Sequence, residues 1–152
     1  MLGSIGASAM VAGAAAAEPI ASVASAETFA RNFLRSFENL DMESFIACFA
    51  EDASVFFPLP EPPQRFDGRA AIREHFQVVF DAIRTDAKRG PPYHTLNPAN
   101  LEAKMLGPAA ALVTFQLENR QRIARRTLVL RFERDWRIAH LHASNVATGP
   151  AA

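Results

Sequence analysis

Three segments of the chain carry apolar residues at three- and four-residue spacing, which is typical of amphipathic helices. "ETFARNFLRSFENL", from residue 27, places Phe29, Phe33 and Phe37 on one face. "MESFIACFA" follows Asp41, a residue type that caps helices, and "RAAIREHFQVVFDAIR" repeats the helical spacing after Gly68. The pattern therefore predicts three helices in the first part of the chain.

The spacing changes to strict alternation in the other segments, and alternation predicts strands. "ASVFFPLP" is a first strand that ends in a proline-rich loop, "LPEPPQRFDG". Four more strands follow the third helix: "LEAKML", "AALVTFQLEN", "ARRTLVLRF" and "DWRIAHLHASN". Helices first and strands afterwards predict an α+β protein, with three N-terminal helices packed on a curved antiparallel sheet.

The last predicted strand has an unusual alternation. Residues at every second position are Trp136, Ile138, His140, His142 and Ser144. Because successive side chains of a strand point to opposite faces, we expect these five on one face. Such a face is half apolar and half polar, which suits a sheet that lines a pocket.

The composition fits one globular domain and excludes some partners. The chain has 152 residues, of which 49% are hydrophobic, with 16 basic and 16 acidic side chains. A net charge of zero gives no field that would attract nucleic acid or an anionic membrane, so neither is expected as a partner. With Cys48 as the only cysteine, neither an intramolecular disulfide nor a thiolate metal cluster can form.

The first 26 residues differ in kind from the rest. They are rich in alanine and glycine, and Ala15 and Ala17 before Glu18 and Pro19 look like a signal-peptide cleavage region, although the basic n-region is missing. We interpret residues 1–26 as a signal-peptide-like or disordered leader, 27–146 as the domain and 147–152 as a tail. The protein is expected to be periplasmic or secreted if the leader is a signal peptide, and otherwise cytoplasmic.

Three motifs carry a family resemblance in their order and spacing: "FAEDASVFFP", "FDGRAAIREHF" and "WRIAHLHASN". Together they resemble the nuclear transport factor 2-like superfamily over roughly residues 27–146. This superfamily includes ketosteroid isomerases, scytalone dehydratases, SnoaL-like polyketide cyclases and the association domain of calmodulin-dependent kinase. The resemblance implies a cone-shaped α+β barrel around one cavity, but it does not imply a particular chemistry.

The ketosteroid isomerases can be compared with this chain position by position. Their catalytic base is an aspartate before the proline that ends the first strand, where this sequence has Phe57. Their carbonyl-polarising tyrosine and protonated aspartate correspond to Phe33 and Leu128. Neither side chain can exchange a proton or donate a hydrogen bond, so we expect no steroid isomerisation by that mechanism.

The resemblance also implies that the face of the last strand with His140, His142 and Ser144 looks into the cavity. The predicted ligand is a small apolar or weakly acidic molecule, and no cofactor and no metal are predicted. The predicted polar groups are Arg126, His140, His142 and Ser144, and the predicted apolar wall consists of Phe33, Phe37, Phe57, Phe115, Leu128, Leu130 and Trp136.

Other interpretations of the histidines stay open at this stage. They can form a satisfied buried network that needs no ligand, or bind a metal if His75, His94 or a carboxylate adds a ligand. Two function classes follow. One is a binding or assembly module similar to the kinase association domain, and the other is a SnoaL-like enzyme of isomerase, cyclase or hydrolase type, with His140 or His142 as the candidate catalytic acid or base.

A homodimer is predicted from the other face of the same strands. Thr127 and Val129 on one strand, with Ala139, Leu141 and Ala143 on the next, form an apolar strip that a monomer rarely leaves in water. The resembled superfamily commonly dimerises through this surface, so we expect a symmetric pair.

Overall fold

A computed structural model describes residues 18–118 and 122–148. The predicted helices and strands are all present within this part, and one further short strand, β2, lies in the predicted proline-rich loop. The elements in chain order are α1 (Val23–Glu38), α2 (Met42–Ala47), β1 (Phe49–Phe56), β2 (Arg65–Asp67), α3 (Arg69–Asp86), β3 (Pro98–Gly107), β4 (Ala110–Glu118), β5 (Arg122–Phe132) and β6 (Trp136–Ala147).

Helix α1 begins earlier than its apolar stripe predicts because two serines cap it. The Ser22 hydroxyl accepts a hydrogen bond from the Ser25 backbone N–H at 3.1 Å, and the Ser22 backbone N–H donates to Ser25 Oγ at 3.0 Å. This reciprocal arrangement satisfies amide groups that a helix start otherwise leaves unpaired. The helix therefore starts at Val23, inside the segment that was predicted to be a leader. The rest of that leader, residues 1–17, lies outside the described residues, so the signal-peptide prediction stays a prediction.

The other two helices begin at positions that local chemistry explains. Asp41 caps α2, as predicted, by accepting a hydrogen bond from the Ser44 backbone N–H at 3.1 Å. Gly68 precedes α3 with a φ of +86°, a backbone conformation that favours glycine. Arg69 then donates from Nη2 to the Phe49 carbonyl at 2.6 Å, which fixes the start of α3 against β1. None of the described helices has the length and apolar character required to cross a membrane.

The six strands form one curved sheet in the order β2-β1-β6-β5-β4-β3. Every neighbouring pair is antiparallel except β1 and β6, which run parallel. In the described part the sheet is open, with β2 and β3 at its edges, and does not close into the predicted barrel. The α+β prediction, with three helices on one face of the sheet, is confirmed.

The helices and the inner face of the sheet meet in a core dominated by phenylalanine. The Phe45 ring lies 5.1 Å from Phe33, 4.7 Å from Phe76 and 5.2 Å from Phe80, measured between ring centroids. These rings come from all three helices, as the apolar stripes predict. Complete burial of one such side chain contributes about 1.5–3 kcal/mol to folding, so this cluster fixes how the helices sit on the sheet.

Strand β6 contains a bulge that the sequence analysis did not predict. Leu130 on β5 pairs with Ile138, but the next residue back, Val129, pairs with His140. Ala139 is therefore an extra residue opposite β5. One inserted residue reverses which face the following side chains occupy, because the side-chain period of a strand is two.

The predicted shared face of β6 is consequently wrong beyond Ile138. Trp136 and Ile138 face the helices, but the buried positions after the bulge are Leu141 and Ala143, which are only 3% and 4% exposed. His140, His142 and Ser144 pair across β5 with Val129, Thr127 and Arg125 on the opposite, outer face of the sheet. The predicted apolar strip is wrong for the same reason: Leu141 and Ala143 belong to the core, while Thr127 and Val129 remain outside.

Candidate functional site

A cavity of about 170 Å³ lies between the helices and the inner face of the sheet. Every element that surrounds it presents apolar side chains, except for one arginine on β5. The lining residues are Phe33, Leu34, Phe37, Phe45, Phe57, Phe76, Leu96, Phe115, Leu117, Arg126 and Leu141.

The predicted pocket residues fall into three groups. Phe33, Phe37, Phe57, Phe115 and Arg126 line the cavity, as expected. The buried core, but not the cavity wall, contains Leu128, Leu130 and Trp136; the outer face of the sheet carries His140, His142 and Ser144.

Six lining residues were not predicted, and the sequence contains a signal for several of them. Leu117 follows Phe115 by two positions and so shares its face of β4, and Phe45 and Phe76 belong to the predicted helix stripes. Leu141 shows the clearest missed signal. Apolar residues occur at 136 and 138 and then at 141 and 143, so the alternation changes phase at the position of the bulge.

Arg126 is the charged residue of the cavity. It pairs with Phe115 on β4 and with Ala143 on β6, which places it in the middle of the sheet. Its Nη1 donates to the backbone carbonyls of Arg125 at 2.9 Å and Ser144 at 3.3 Å. Burial lowers the pKa of the Arg126 guanidinium from its ordinary value, although arginine keeps its proton at any physiological pH.

The segment before β3 contributes Leu96 to the cavity wall and is held by the end of α1. The backbone N–H of Tyr93 donates to the Glu38 carbonyl at 2.7 Å, and the backbone N–H of Leu96 donates to the Glu38 carboxylate. The His94 ring stacks on Phe37 with their centroids 6.2 Å apart. His94 therefore contacts the cavity only through Phe37, a residue of its lining.

His140 belongs to a cluster on the outer face of the sheet. Its Nδ1 shares a 2.7 Å hydrogen bond with Ser54 Oγ, and its ring lies 5.9 Å from Phe56 and 6.5 Å from His142. Partial burial lowers the pKa of the His140 imidazole, and the positive charges of Arg65 and His142 act in the same direction, against an opposite effect of Asp67. The cluster is separated from the cavity by the sheet itself.

His75 is placed on α3 among aromatic rings. Its centroid lies 4.2 Å from Phe66 and 5.4 Å from Phe57, and burial lowers the pKa of its imidazole. The Nε2 atom is inaccessible to solvent and has no hydrogen-bond partner among the described residues. Within residues 18–118 and 122–148, no three His, Cys, Asp or Glu side chains are grouped so that they could hold a metal ion.

An α+β domain with an apolar cavity between its helices and its sheet is the class of protein that the geometry defines. The family model of the SnoaL-like domain matches residues 26–148, and the chain belongs to this family. No curated protein matches the chain.

Solved structures with the same fold are similar to the chain over most of its length. A nuclear transport factor 2-like protein of unknown function from Pseudomonas putida has a TM-score of 0.65 at 19% identity, over 83% of this chain and 89% of that one. A ketosteroid isomerase-like protein from Erwinia carotovora atroseptica has a TM-score of 0.63 at 18% identity, over 84% and 97%. A cystatin-like fold protein from Burkholderia xenovorans has a TM-score of 0.61 at 17% identity, over 83% and 92%. At identities this low, the structural similarity establishes the fold alone.

Proposed function

We propose that this protein binds a small, largely apolar molecule in the cavity between its helices and the inner face of its sheet. The observation that carries the proposal is the cavity itself, with about 170 Å³ of space and walls that are apolar except at Arg126. A protein interior normally packs without voids larger than a water molecule, and an apolar cavity of similar size can hold benzene. An apolar cavity with a polar group in its wall is typical of a ligand site.

The side chains at the positions matched to the ketosteroid isomerases support binding over acid-base chemistry. Phe57 and Phe33 line the cavity and offer only phenyl rings, and Leu128 is fully buried in the core. The enzyme alternative through His140 or His142 loses its support, because both histidines lie on the outer face of the sheet. A general acid or base needs to be within hydrogen-bond reach of its substrate, and a strand layer separates these imidazoles from the cavity.

A cavity-filling variant tests the proposal. Toluene is titrated into the full chain, and binding is followed by chemical shifts and by the rise in melting temperature that a ligand of the native state causes. Replacing Leu117, which lines the cavity, by tryptophan should abolish toluene binding. Leu112→Trp is the matched control, because Leu112 lies on the same strand but its side chain points to the outer face. The proposal fails if toluene does not bind the wild type, or if both tryptophan variants bind it equally.

We also propose that a second copy of this chain covers the outer face of the sheet. Thr127 and Val129 on β5 lie on this face, together with Phe56 on β1, whose side chain is 37% exposed. A contact between identical patches buries these groups in both copies at once. Sedimentation should show a dimer at micromolar concentration, and Val129→Lys should convert it to a folded monomer. A monomeric wild type contradicts this proposal.

A further inference from the structure

Arg126 differs from the other buried or paired charges of the molecule. Five arginines form ion pairs with carboxylates, and all five have partly exposed side chains: Arg65, Arg69, Arg73, Arg84 and Arg131. Arg126 is also partly buried, in the wall of the cavity, but it forms no ion pair with a described carboxylate. All 16 acidic side chains of the sequence fall within residues 18–118 and 122–148, so no Asp or Glu remains outside the described part to neutralise it.

An isolated charge inside a protein is costly, so a cation kept there needs an anionic partner or strong hydrogen bonds. Arg126 makes its described hydrogen bonds through Nη1 alone, to two backbone carbonyls. Its Nε and Nη2 atoms have no acceptor among the described residues. These two nitrogens carry parallel N–H groups on one edge of the planar guanidinium, and that edge fits both oxygens of a carboxylate.

The size of the cavity limits the rest of such a ligand. About 170 Å³ is close to the roughly 150 Å³ of an apolar cavity that holds benzene, and it is below the 300 Å³ or more that drug-sized ligands need. The walls next to Arg126 are apolar, with Phe115 paired directly across β4 and Leu141 on β6. The apolar part of the ligand is therefore about the size of a single aromatic ring.

We infer that the cavity binds a small monocarboxylate with one aromatic ring or a short branched chain, with its carboxylate on the Nε and Nη2 edge of Arg126. This inference rests on the proposed binding function and names the ligand class for the same cavity. The apolar contacts hold the ring, and the guanidinium supplies the charge that selects acids over neutral molecules of the same shape.

The experiment compares charged and neutral probes on the full chain. Benzoate and phenylacetate are titrated by calorimetry beside benzamide and toluene. We expect the carboxylates to bind at least about tenfold more tightly than benzamide, because a hydrogen bond to a charged group is the stronger one. Phenyl phosphate is included as a second anion, and tighter binding of phenyl phosphate than of both carboxylates would overturn the assignment to a carboxylate.

Two neighbouring arginines provide the variant and its control. Arg126→Met should weaken carboxylate binding by about tenfold to a hundredfold and should weaken toluene binding much less, because methionine keeps the apolar stem without the charge. Arg125→Met, one residue away on the outer face, should change neither affinity. Arg126→Lys should give an intermediate loss, because an ammonium keeps the charge but lacks the fork.

The outcomes separate the two proposals. If toluene binds but benzoate and phenylacetate bind no better than benzamide, the carboxylate inference is overturned and the binding function survives. If no probe binds the wild type, the binding function fails as well. Should Arg126→Met not fold, the wild-type preference for benzoate over benzamide still decides the inference.

Discussion

The two faces of the sheet differ in the polar side chains that they carry and in the surroundings of those side chains. On the inner face, β4, β5 and β6 present mainly phenylalanine, leucine and alanine to the helices, and Arg126 is the charged residue that lines the cavity. On the outer face, Ser54, His140 and His142 lie together with Phe56 and are partly open to solvent. Both faces are built from the same strands, so residues one position apart in sequence belong to entirely different environments.

This contrast teaches that histidines in an apolar strand are weak evidence for a pocket. His140 satisfies its Nδ1 on Ser54, and its ring packs beside Phe56, so an ordinary cross-strand contact accounts for both. Arg126 has no such explanation, because its Nε and Nη2 atoms have no acceptor among the described residues and no carboxylate lines the cavity that it borders. Chemistry is best sought at a polar group that the protein leaves without a partner.

The largest predicted effect on the free energy of unfolding comes from the residues of β6 just after the bulge, where the buried and the exposed face are exchanged. Leu141→Asn places an amide in the buried apolar layer and should lower the free energy of unfolding by about 3–6 kcal/mol, the sum of a lost leucine and an unsatisfied polar group. His142→Asn, the next residue, should change it by less than about 1 kcal/mol. Urea denaturation of both variants measures the difference. The reverse order would mean that β6 has the phase without a bulge.

A pair of milder substitutions compares the inner and the outer face of the sheet on β5. Leu128 is fully buried on the inner face, and Leu128→Ala should cost about 2–5 kcal/mol of unfolding free energy because it leaves a void among packed side chains. Val129 lies on the outer face opposite His140, and Val129→Ala should cost about 1 kcal/mol or less. Thermal and urea unfolding provide the two values at a monomer concentration that is held constant. Equal losses would contradict the assignment of faces.

The hydrogen bond between Ser54 and His140 gives a smaller effect. Ser54→Ala removes the hydroxyl that meets Nδ1 and should reduce the free energy of unfolding by about 0.5–1.5 kcal/mol. Ser144→Ala is the matched control on the outer face, because the Ser144 hydroxyl has no hydrogen bond to a described residue, and it should change stability by less than about 0.5 kcal/mol. A loss that is the same in both variants would show that this hydrogen bond contributes nothing.

The smallest effect is a dependence of stability on pH. The pKa values of His75 and His140 are lowered in the folded protein, in both cases mainly by burial, so the unfolded chain binds more protons than the native state as the pH falls. The free energy of unfolding is therefore not reduced by these histidines above the histidine pKa of the unfolded chain, about 6.5. It should decrease as the pH falls below that value. Nearby charges at His140 are those of Arg65, His142 and Asp67.

The measurement is the unfolding free energy between pH 7.5 and 5 at constant salt. Carboxylates with lowered pKa values, such as Asp41 and Asp67, contribute only at more acidic pH, so this window isolates the imidazoles. The double variant His75→Gln and His140→Gln should show a smaller slope than the wild type. An unchanged slope would assign the pH dependence to other groups.

The helices, the strands and their general arrangement can be predicted from the amino-acid sequence. Helical spacing in "ETFARNFLRSFENL" and alternation in "AALVTFQLEN" arise because each element must turn one apolar face to the core. The spacing of apolar residues within the element itself is enough to recognise this requirement. The sequence also identifies five residues of the cavity wall. Four of them are phenylalanines, and the fifth is Arg126, which lies on the same face of β5 as Leu128 and Leu130.

Three features become visible only in the folded chain: the face of each residue beyond Ile138, the parallel pairing of β1 with β6, and the lack of a carboxylate partner for Arg126 among the described residues. A bulge depends on how β6 fits between β5 and β1, and the irregular pairing occurs on both sides of it. The apolar pattern changes phase between Ile138 and Leu141, but the pattern alone does not establish which phase faces the core, because the energy that favours Leu141 over His142 there comes from helices distant in the sequence. That Arg126 has no carboxylate partner within residues 18–118 and 122–148 is likewise a property of the fold, since it depends on where each described carboxylate lies.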